Sequence, residues 1–359
     1  MRISRPSARL GMATALVLAL ALPVTAGTAR ADGAAGQGVK GLGAVRCTDH
    51  VLNVRIADPG PADQKIWGRL CIGEGRRPTA VQLLVPGGTY SHVYWDLPYG
   101  GGRYSYAREA AAAGYATFNV DRVGIGHSSH PPGAQLTVTA GAIALHDVIT
   151  ALRAGRVGGY AFSHVIWVGH SVGSFTAWDE AARYQDVDAM ILTGAMHAFN
   201  LQAALQGQAA LYTATDDPRF ADSGLDADYM TTKPGTREGF YSPDTTDPHV
   251  VALDEANKAT MTTGELAGPS ATPPYRINVP VLLLVGGNDA LFCVGVTQYS
   301  CSDPKSVLAF ESQFYPPAAH PQVVVIPGAG HSVALSTVAP LATAAMIRWT
   351  RSVIAQPGR

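Results

Sequence analysis

The spacing of hydrophobic positions changes once along this chain, near residue 80. Before that point, residues 44–56 and 65–72 alternate apolar with polar side chains, which predicts an antiparallel hairpin. Beyond it, short apolar runs are nearly continuous, as is typical of strands buried on both faces of a parallel sheet. These runs are 81–85, 115–120, 165–168, 189–192, 281–285 and 323–326.

Helical patterns lie between several of these strands. They cover residues 104–113, 140–154, 175–184 and 333–353. Strands that alternate with helices predict an α/β fold, with a mostly parallel central sheet flanked by helices and preceded by the N-terminal hairpin.

One interval, residues 196–277, lacks a strong apolar strand. It mixes two helical stretches, 201–212 and 250–261, with Pro, Asp and Gly. A structureless loop of this length is uncommon inside a compact domain, so we predict a mostly helical cap inserted into the core. The core then comprises residues 44–195 and 278–356.

The N-terminus has the three parts of a secretory signal peptide. Arg2, Arg5 and Arg9 precede an apolar run from Met12 to Leu22, and Ala29-Arg30-Ala31 follows. We predict cleavage near Ala31, so that residues 1–31 are removed and 32–43 form a flexible leader. The apolar run is shorter than the ~20 residues that a membrane span requires. The expectation is a secreted protein with no membrane span.

Charge argues against nucleic acid as a partner. Loss of residues 1–31 removes four of the 26 basic residues and none of the 27 acidic ones, which leaves the chain acidic. No basic run or tail is present, and such a run is what an electrostatic nucleic-acid site requires.

Four cysteines fit an exported protein with two disulfides. Cys47 and Cys71 lie on the two strands of the predicted hairpin, while Cys293 and Cys301 close a short loop. The local pairing is 47–71 and 293–301, and three connectivities remain open. No C-x-x-C pair occurs, so a metal site is not expected.

The main chemical motif is Gly169-His170-Ser171-Val172-Gly173, between an apolar run and a helical pattern. A serine at a sharp strand-to-helix turn, flanked by glycines, is the pattern of a nucleophile elbow. A serine hydroxyl also needs a base and a group that orients the base.

Two later strands offer those groups. Asp289 follows the run 281–285, and His331 follows the run 323–326. In a parallel sheet the carboxyl ends of the strands share one edge. Ser171, Asp289 and His331 are therefore predicted to converge there.

The chain resembles the serine-dependent α/β-hydrolases of the esterase and lipase type over residues 44–353. Five motifs in the family order carry the resemblance, each just after a predicted strand. They are PGGTY at 86–90, VDRVGIGHSS at 120–129, GHSVG at 169–173, VGGNDALF at 285–292 and PGAGHS at 327–332.

The resemblance implies a Ser-His-Asp triad. Ser171 would attack a carbonyl, His331 would transfer the proton, and Asp289 would hold the imidazole. Asp303 is a more distant alternative for the acid. Asp121 and Arg122 belong to a loop that the resemblance assigns to the scaffold of the site.

The resemblance also implies an oxyanion hole made of backbone N–H groups. Val172 supplies one donor and Gly88 the other, with Thr89 as the alternative to Gly88, because Pro86-Gly87 stands where the family commonly has His-Gly. Thr89, Tyr90 and His170 are candidate residues of the substrate pocket.

These features predict a secreted enzyme that cleaves a carboxylic ester or related acyl bond of a small-molecule substrate, without a cofactor. Alternatives with the same triad are a peptidase or amidase, a lactonase or an acyltransferase. A non-catalytic binding protein with this fold is the third hypothesis. The sequence indicates neither the acyl chain nor the oligomeric state.

Overall fold

The structure, a computed structural model, describes residues 44–354. The predicted signal peptide and leader, 1–31 and 32–43, lie outside these residues. The strands are β1 (Val45–Val54), β2 (Gln64–Gly73), β3 (Ala80–Val85), β4 (Ala116–Asp121), β5 (His164–His170), β6 (Ala189–Thr193), β7 (Leu211–Thr213), β8 (Tyr229–Thr232), β9 (Met261–Thr262), β10 (Val281–Gly286) and β11 (Gln322–Ile326). The α-helices are α1 (Tyr106–Ala112), α2 (Val138–Arg153), α3 (Val172–Arg183), α4 (Leu201–Ala209), α5 (Pro248–Ala256), α6 (Thr263–Leu266), α7 (Pro304–Glu311) and α8 (Ala339–Ile354).

Eight strands form the central sheet, in the order β1-β2-β4-β3-β5-β6-β10-β11. β1 pairs with β2, and β2 with β4, in antiparallel orientation. All other neighbours are parallel. The mostly parallel sheet and the N-terminal hairpin are therefore confirmed.

Two hydrophobic clusters cover the two faces of this sheet. On β3, Leu83 packs in the cluster that contains Leu145 of α2 and Trp178 of α3. Leu84, the next residue, packs in the cluster that contains Trp349 of α8. Successive strand residues point to opposite faces, so both faces of β3 are buried and its residues are mostly apolar. The buried Gln82 is the exception, and its side-chain oxygen accepts from the Tyr106 hydroxyl at 2.7 Å. Each fully buried leucine contributes about 2 kcal/mol.

Residues 196–277 are helical only in part. They contain α4, α5 and α6, and also an antiparallel sheet of β7, β8 and β9 that the sequence analysis did not predict. These strands have two to four residues, which is too short for an alternating pattern to show. The predicted helix 201–212 ends at Ala209 because β7 begins at Leu211.

Two further helices also differ from the prediction. The C-terminal helix begins at Ala339 rather than at residue 333, since a short 3-10 turn occupies Val333–Leu335. α7 was not predicted. It begins at Pro304, and the Asp303 carboxylate caps it by accepting from the Lys305 N–H.

Both predicted disulfides are formed, Cys47 with Cys71 and Cys293 with Cys301. Cys47 lies directly opposite Cys71 in the register of β1 and β2, so the first bond joins a cross-strand pair. Within residues 44–354, no helix combines the length and the apolar character needed to cross a membrane.

Candidate active site

Ser171 occupies the turn between β5 and α3 in a strained backbone conformation. Its φ is 49° and its ψ is −116°. Four non-glycine residues of the described chain have positive φ. Ser171 is one of them, and Thr89, at φ 60°, is a second. Such strain clusters at functional sites, where the surrounding structure enforces it. Two of the four strained residues therefore belong to the predicted site.

The glycines on either side of Ser171 are required by close backbone contacts. A Cβ atom on Gly169 would lie 2.6 Å from the Gly173 carbonyl oxygen. A Cβ atom on Gly173 would lie 2.8 Å from the Pro86 carbonyl oxygen and closer still to that of Val85. Only glycine fits at either position, so the G-x-S-x-G spacing has a steric cause.

His331 is hydrogen-bonded to Asp289 at the same edge of the sheet. Its Nδ1 lies 2.9 Å from Asp289 Oδ2, and both side chains are buried. The other carboxylate oxygen accepts from the N–H groups of Leu291 at 2.8 Å and Phe292 at 3.2 Å. An ionised carboxylate only accepts, so Nδ1 carries the hydrogen and Nε2 is left free to accept a proton.

The rings of His170 and His331 connect this pair to the elbow. Their centroids lie 4.8 Å apart, and His170 immediately precedes Ser171. Gly194 lies next to both rings. A Cβ atom on Gly194 would be 3.0 Å from the Cε1 atom of each ring. Ser171 is half-buried and forms no hydrogen bond with His331 in this structure. Such bonds are often long before substrate binds.

The three predicted pocket residues are packed inside the protein. His170 has no exposed surface, and Thr89 and Tyr90 expose 1% and 3%. His170 Nδ1 contacts Thr193 Oγ1 at 3.1 Å, and its ring stacks on Tyr94 at 4.1 Å. Burial lowers the pKa of His170 well below its usual value, and the neighbouring His331 lowers it further. His170 is therefore neutral and acts as packing beside the elbow.

Arg122 contacts the loop that carries Gly88, one of the two predicted oxyanion donors. Its Nη2 donates to the Gly87 carbonyl at 3.1 Å, and its Nη1 pairs with Glu265 of α6. Burial lowers the pKa of Arg122 to about 10, although the nearby Asp121 opposes this. The C=O and N–H of a trans peptide point in opposite directions. The Gly88 N–H therefore points away from Arg122.

Gly88 and Val172, the two predicted donors, are neighbours. A Cβ atom on Gly88 would lie 3.2 Å from Val172 Cγ2. No described residue accepts a hydrogen bond from the N–H of Gly88, Thr89 or Val172. Val172 is also the first residue of α3, where the partial positive charge of a helix favours an anion.

Arg237, from the segment between β6 and β10, holds the other end of this loop. The Thr89 carbonyl accepts from Arg237 Nη1 at 3.3 Å and from the Ala259 N–H at 2.9 Å. Arg237 is fully buried and its Nη2 pairs with Asp254 at 2.7 Å. The Arg237 guanidinium also lies 4.2 Å from the Tyr90 ring centroid.

Asp254 continues this network toward the histidine. Its Oδ2 accepts from the hydroxyls of Tyr241 at 2.7 Å and Tyr90 at 3.3 Å. The Tyr90 hydroxyl lies 2.6 Å from Ser332 Oγ, next to His331. A continuous buried polar network therefore joins residues 196–277 to the loop after β3, which carries Gly88 and Tyr90, and to the loop that carries His331.

The sequence did not predict Arg237, Asp254 or Glu265. Glu265 is 143 positions from Arg122, and Arg237 is 148 positions from Thr89. Arg237 and Asp254 are 17 positions apart, but no local motif marks either. Glu265 had a signal: Thr262 and Glu265 have the T-x-x-E spacing of a capping box, and both of its hydrogen bonds are present.

Asp121 holds the loop after β4 together. Each of its oxygens accepts from the backbone N–H and the Nδ1 of one histidine, His92 at 2.7 and 2.9 Å and His127 at 2.9 and 3.0 Å. Burial alone would raise the pKa of Asp121, but these hydrogen bonds lower it well below its usual range. All four hydrogen bonds hold the loop, so the Asp121 carboxylate has a structural role.

The sequence matches the profile of the Alpha/beta hydrolase family over residues 82–345. The chain belongs to the α/β-hydrolase family. Its fold is similar to that of the carboxylesterase CesB (YbfK) from Bacillus subtilis, with a TM-score of 0.54, 18% identity and coverage of 88% of this chain and 93% of that one. No curated protein sequence matches it.

A soluble variant of monoglyceride lipase from Saccharomyces cerevisiae, solved with a substrate analogue, is also similar. Its TM-score is 0.56 at 16% identity, with 81% of this chain and 92% of that chain covered. A bacterial membrane phospholipase A gives a TM-score of 0.54 at 17% identity, with 86% and 87% covered. At these identities the comparisons show a shared fold.

Proposed function

We propose that this α/β-hydrolase cleaves a carboxylic ester, or a related acyl bond, through a Ser171-His331-Asp289 triad. The hydrogen bond between His331 Nδ1 and Asp289, beside a serine in a strained turn, carries the proposal. It fixes the imidazole tautomer that a general base requires.

In the first half of the reaction, Ser171 Oγ bonds to the substrate carbonyl carbon while His331 Nε2 takes the hydroxyl proton. The resulting imidazolium is stabilised by Asp289 and returns the proton to the leaving alcohol as the carbon–oxygen bond breaks. Water then attacks the acyl-enzyme by the same route, which releases the acid and regenerates Ser171.

The N–H groups of Val172 and Gly88 are the proposed oxyanion donors. Arg122 supports Gly88 over Thr89, because it holds the Gly87 carbonyl and so turns the Gly88 N–H away from itself. A donor of this kind contributes a factor of about 10² to 10³ in rate.

An ester is favoured as the substrate because similar structures carry that activity in their names: a carboxylesterase, a monoglyceride lipase and a phospholipase A. An amide, a lactone or acyl transfer would use the same triad. Parallel assays with amide, lactone and alcohol-acceptor substrates separate these reactions. The N-terminal pattern and the two disulfides support export of the enzyme.

The test is a p-nitrophenyl ester panel of varied chain length with wild type and Ser171→Ala. We expect turnover by the wild type and a loss of about 10⁵-fold or more in the variant. Ser312→Ala is the matched control, because the exposed Ser312 hydroxyl donates only to the Leu308 carbonyl at the end of α7. A fluorophosphonate should label wild type and the control only. Wild type that neither turns over esters nor is labelled contradicts the proposal.

A further inference from the structure

Three side chains with metal-binding atoms meet between α2 and α3. They are His146 of α2, Glu180 of α3 and Asp186 in the loop before β6, and one ligand atom of each lies within 4.8 Å of the others. His146 Nδ1 is 2.7 Å from Asp186 Oδ2 and 4.0 Å from Glu180 Oε1. About 13 Å of α3 separates Glu180 from Ser171. The cluster is therefore separate from the proposed active site.

Three of the four carboxylate oxygens in this cluster lack a hydrogen-bond donor. Glu180 is fully buried, and neither of its oxygens accepts from any described residue. Asp186 Oδ1 is likewise buried without a donor. Arg153 contacts the same loop, but its Nη2 donates to the Asp186 backbone carbonyl and the Asp188 carboxylate. Buried carboxylates are costly unless a cation or donors compensate them.

We propose that His146, Glu180 and Asp186 bind a divalent transition-metal cation, for which Zn²⁺ is the best match. One imidazole and two carboxylates are ligands that Zn²⁺ accepts, whereas Ca²⁺ takes six to eight oxygens. With bonds of 2.0–2.2 Å, tetrahedral ligand atoms lie about 3.4 Å apart. The 2.7 and 4.0 Å separations lie on either side of that value, so small side-chain shifts suffice.

The surroundings also suit a bound cation. Tyr184 stacks on the His146 ring at 3.7 Å, which fixes the direction of Nδ1. His146 and Asp186 expose 23% and 22% of their side chains, which gives the cation a path from solvent and room for water as a fourth ligand. The bound cation would join α2, α3 and the loop before β6, and so would stabilise the fold rather than take part in catalysis.

The experiment uses the untagged, full-length protein after dialysis against EDTA. Zn²⁺ is titrated by calorimetry, Co²⁺ is followed by visible absorption, and the melting temperature is recorded with and without Zn²⁺. For the wild type we expect one Zn²⁺ per chain, a tetrahedral Co²⁺ spectrum and a higher melting temperature with Zn²⁺. Glu180→Gln should bind Zn²⁺ at least about ten-fold more weakly and lose both signatures.

Asp147→Asn is the matched control, because it removes a carboxylate of α2 that faces Arg55 instead of the cluster. It should keep the wild-type affinity. Asp186→Asn replaces Glu180→Gln if the latter does not fold. Zn²⁺ binding that is equal in wild type and the cluster variants overturns the proposal. So does a wild type that takes up no Zn²⁺, which would mean that the two carboxyl groups share a proton instead.

Discussion

Two histidine–carboxylate pairs in this protein have similar geometry and different surroundings. The His331–Asp289 pair lies at the carboxyl edge of the sheet with 2.9 Å between its atoms, and the His146–Asp186 pair lies between α2 and α3 with 2.7 Å. Both oxygens of Asp289 accept hydrogen bonds. Asp186 has one oxygen without a donor, and the buried Glu180 adds two more.

This difference decides what each pair can do. A carboxylate whose oxygens all have donors holds its imidazole in one orientation, which suits proton transfer beside a nucleophile. Carboxylates without donors keep their electron pairs available, which suits a cation. The same two residue types therefore support two kinds of chemistry, according to the donors around them.

The largest contrast is expected from one substitution made in both pairs. Asp289→Asn should lower kcat for a p-nitrophenyl ester by about 10⁴-fold, because the amide no longer fixes the imidazole tautomer. Asp186→Asn should leave kcat unchanged. Steady-state kinetics on both variants measures the contrast. A similar kcat for both would remove the distinction between the pairs.

A second contrast concerns stability. Asp254→Asn should lower the free energy of unfolding by about 3 kcal/mol, because it leaves the buried Arg237 without its charge partner. Glu180→Gln in the metal-free protein breaks no hydrogen bond to a described residue, so it should cost nothing or stabilise the protein. Urea denaturation monitored by tryptophan fluorescence measures both. Equal losses would show that the donors around each carboxylate do not matter.

The smallest effect is expected at His127, whose side chain is exposed and bonds to the buried Asp121. Its hydrogen bond to Asp121 raises the pKa of His127, with burial opposing. A raised folded pKa gives stability that is complete below the unfolded value of about 6.5 and is lost as pH rises through the folded value. Melting temperatures of wild type and His127→Gln should therefore differ more near pH ~5.5 than near pH ~8.5. A difference that grows with pH would contradict this sign.

Much of the core could be predicted, because strands that are buried on both faces of the sheet have nearly continuous apolar sequences. The near-continuous apolar runs predicted β3, β4, β5, β6, β10 and β11 to within about two residues. Ser171, Asp289 and His331 follow such strands, so their common edge follows from the direction of the sheet. These features depend on local sequence and on topology.

The remaining features depend on contacts between distant residues. The strands β7, β8 and β9 are too short to have a period. Arg237 contacts the Thr89 carbonyl, and Glu180 meets His146, only after the chain has folded. No spacing in the sequence indicates either contact.

The hydrogen bond from Arg237 to the Thr89 carbonyl makes the proposed oxyanion hole depend on a distant part of the chain. Arg237 belongs to the segment 196–277, whereas Thr89 belongs to the loop that carries the proposed Gly88 donor. Ala259, in the same segment, donates its N–H to the same carbonyl at 2.9 Å. The position of the proposed Gly88 donor therefore depends on two hydrogen bonds from a part of the chain that supplies none of the three proposed triad residues.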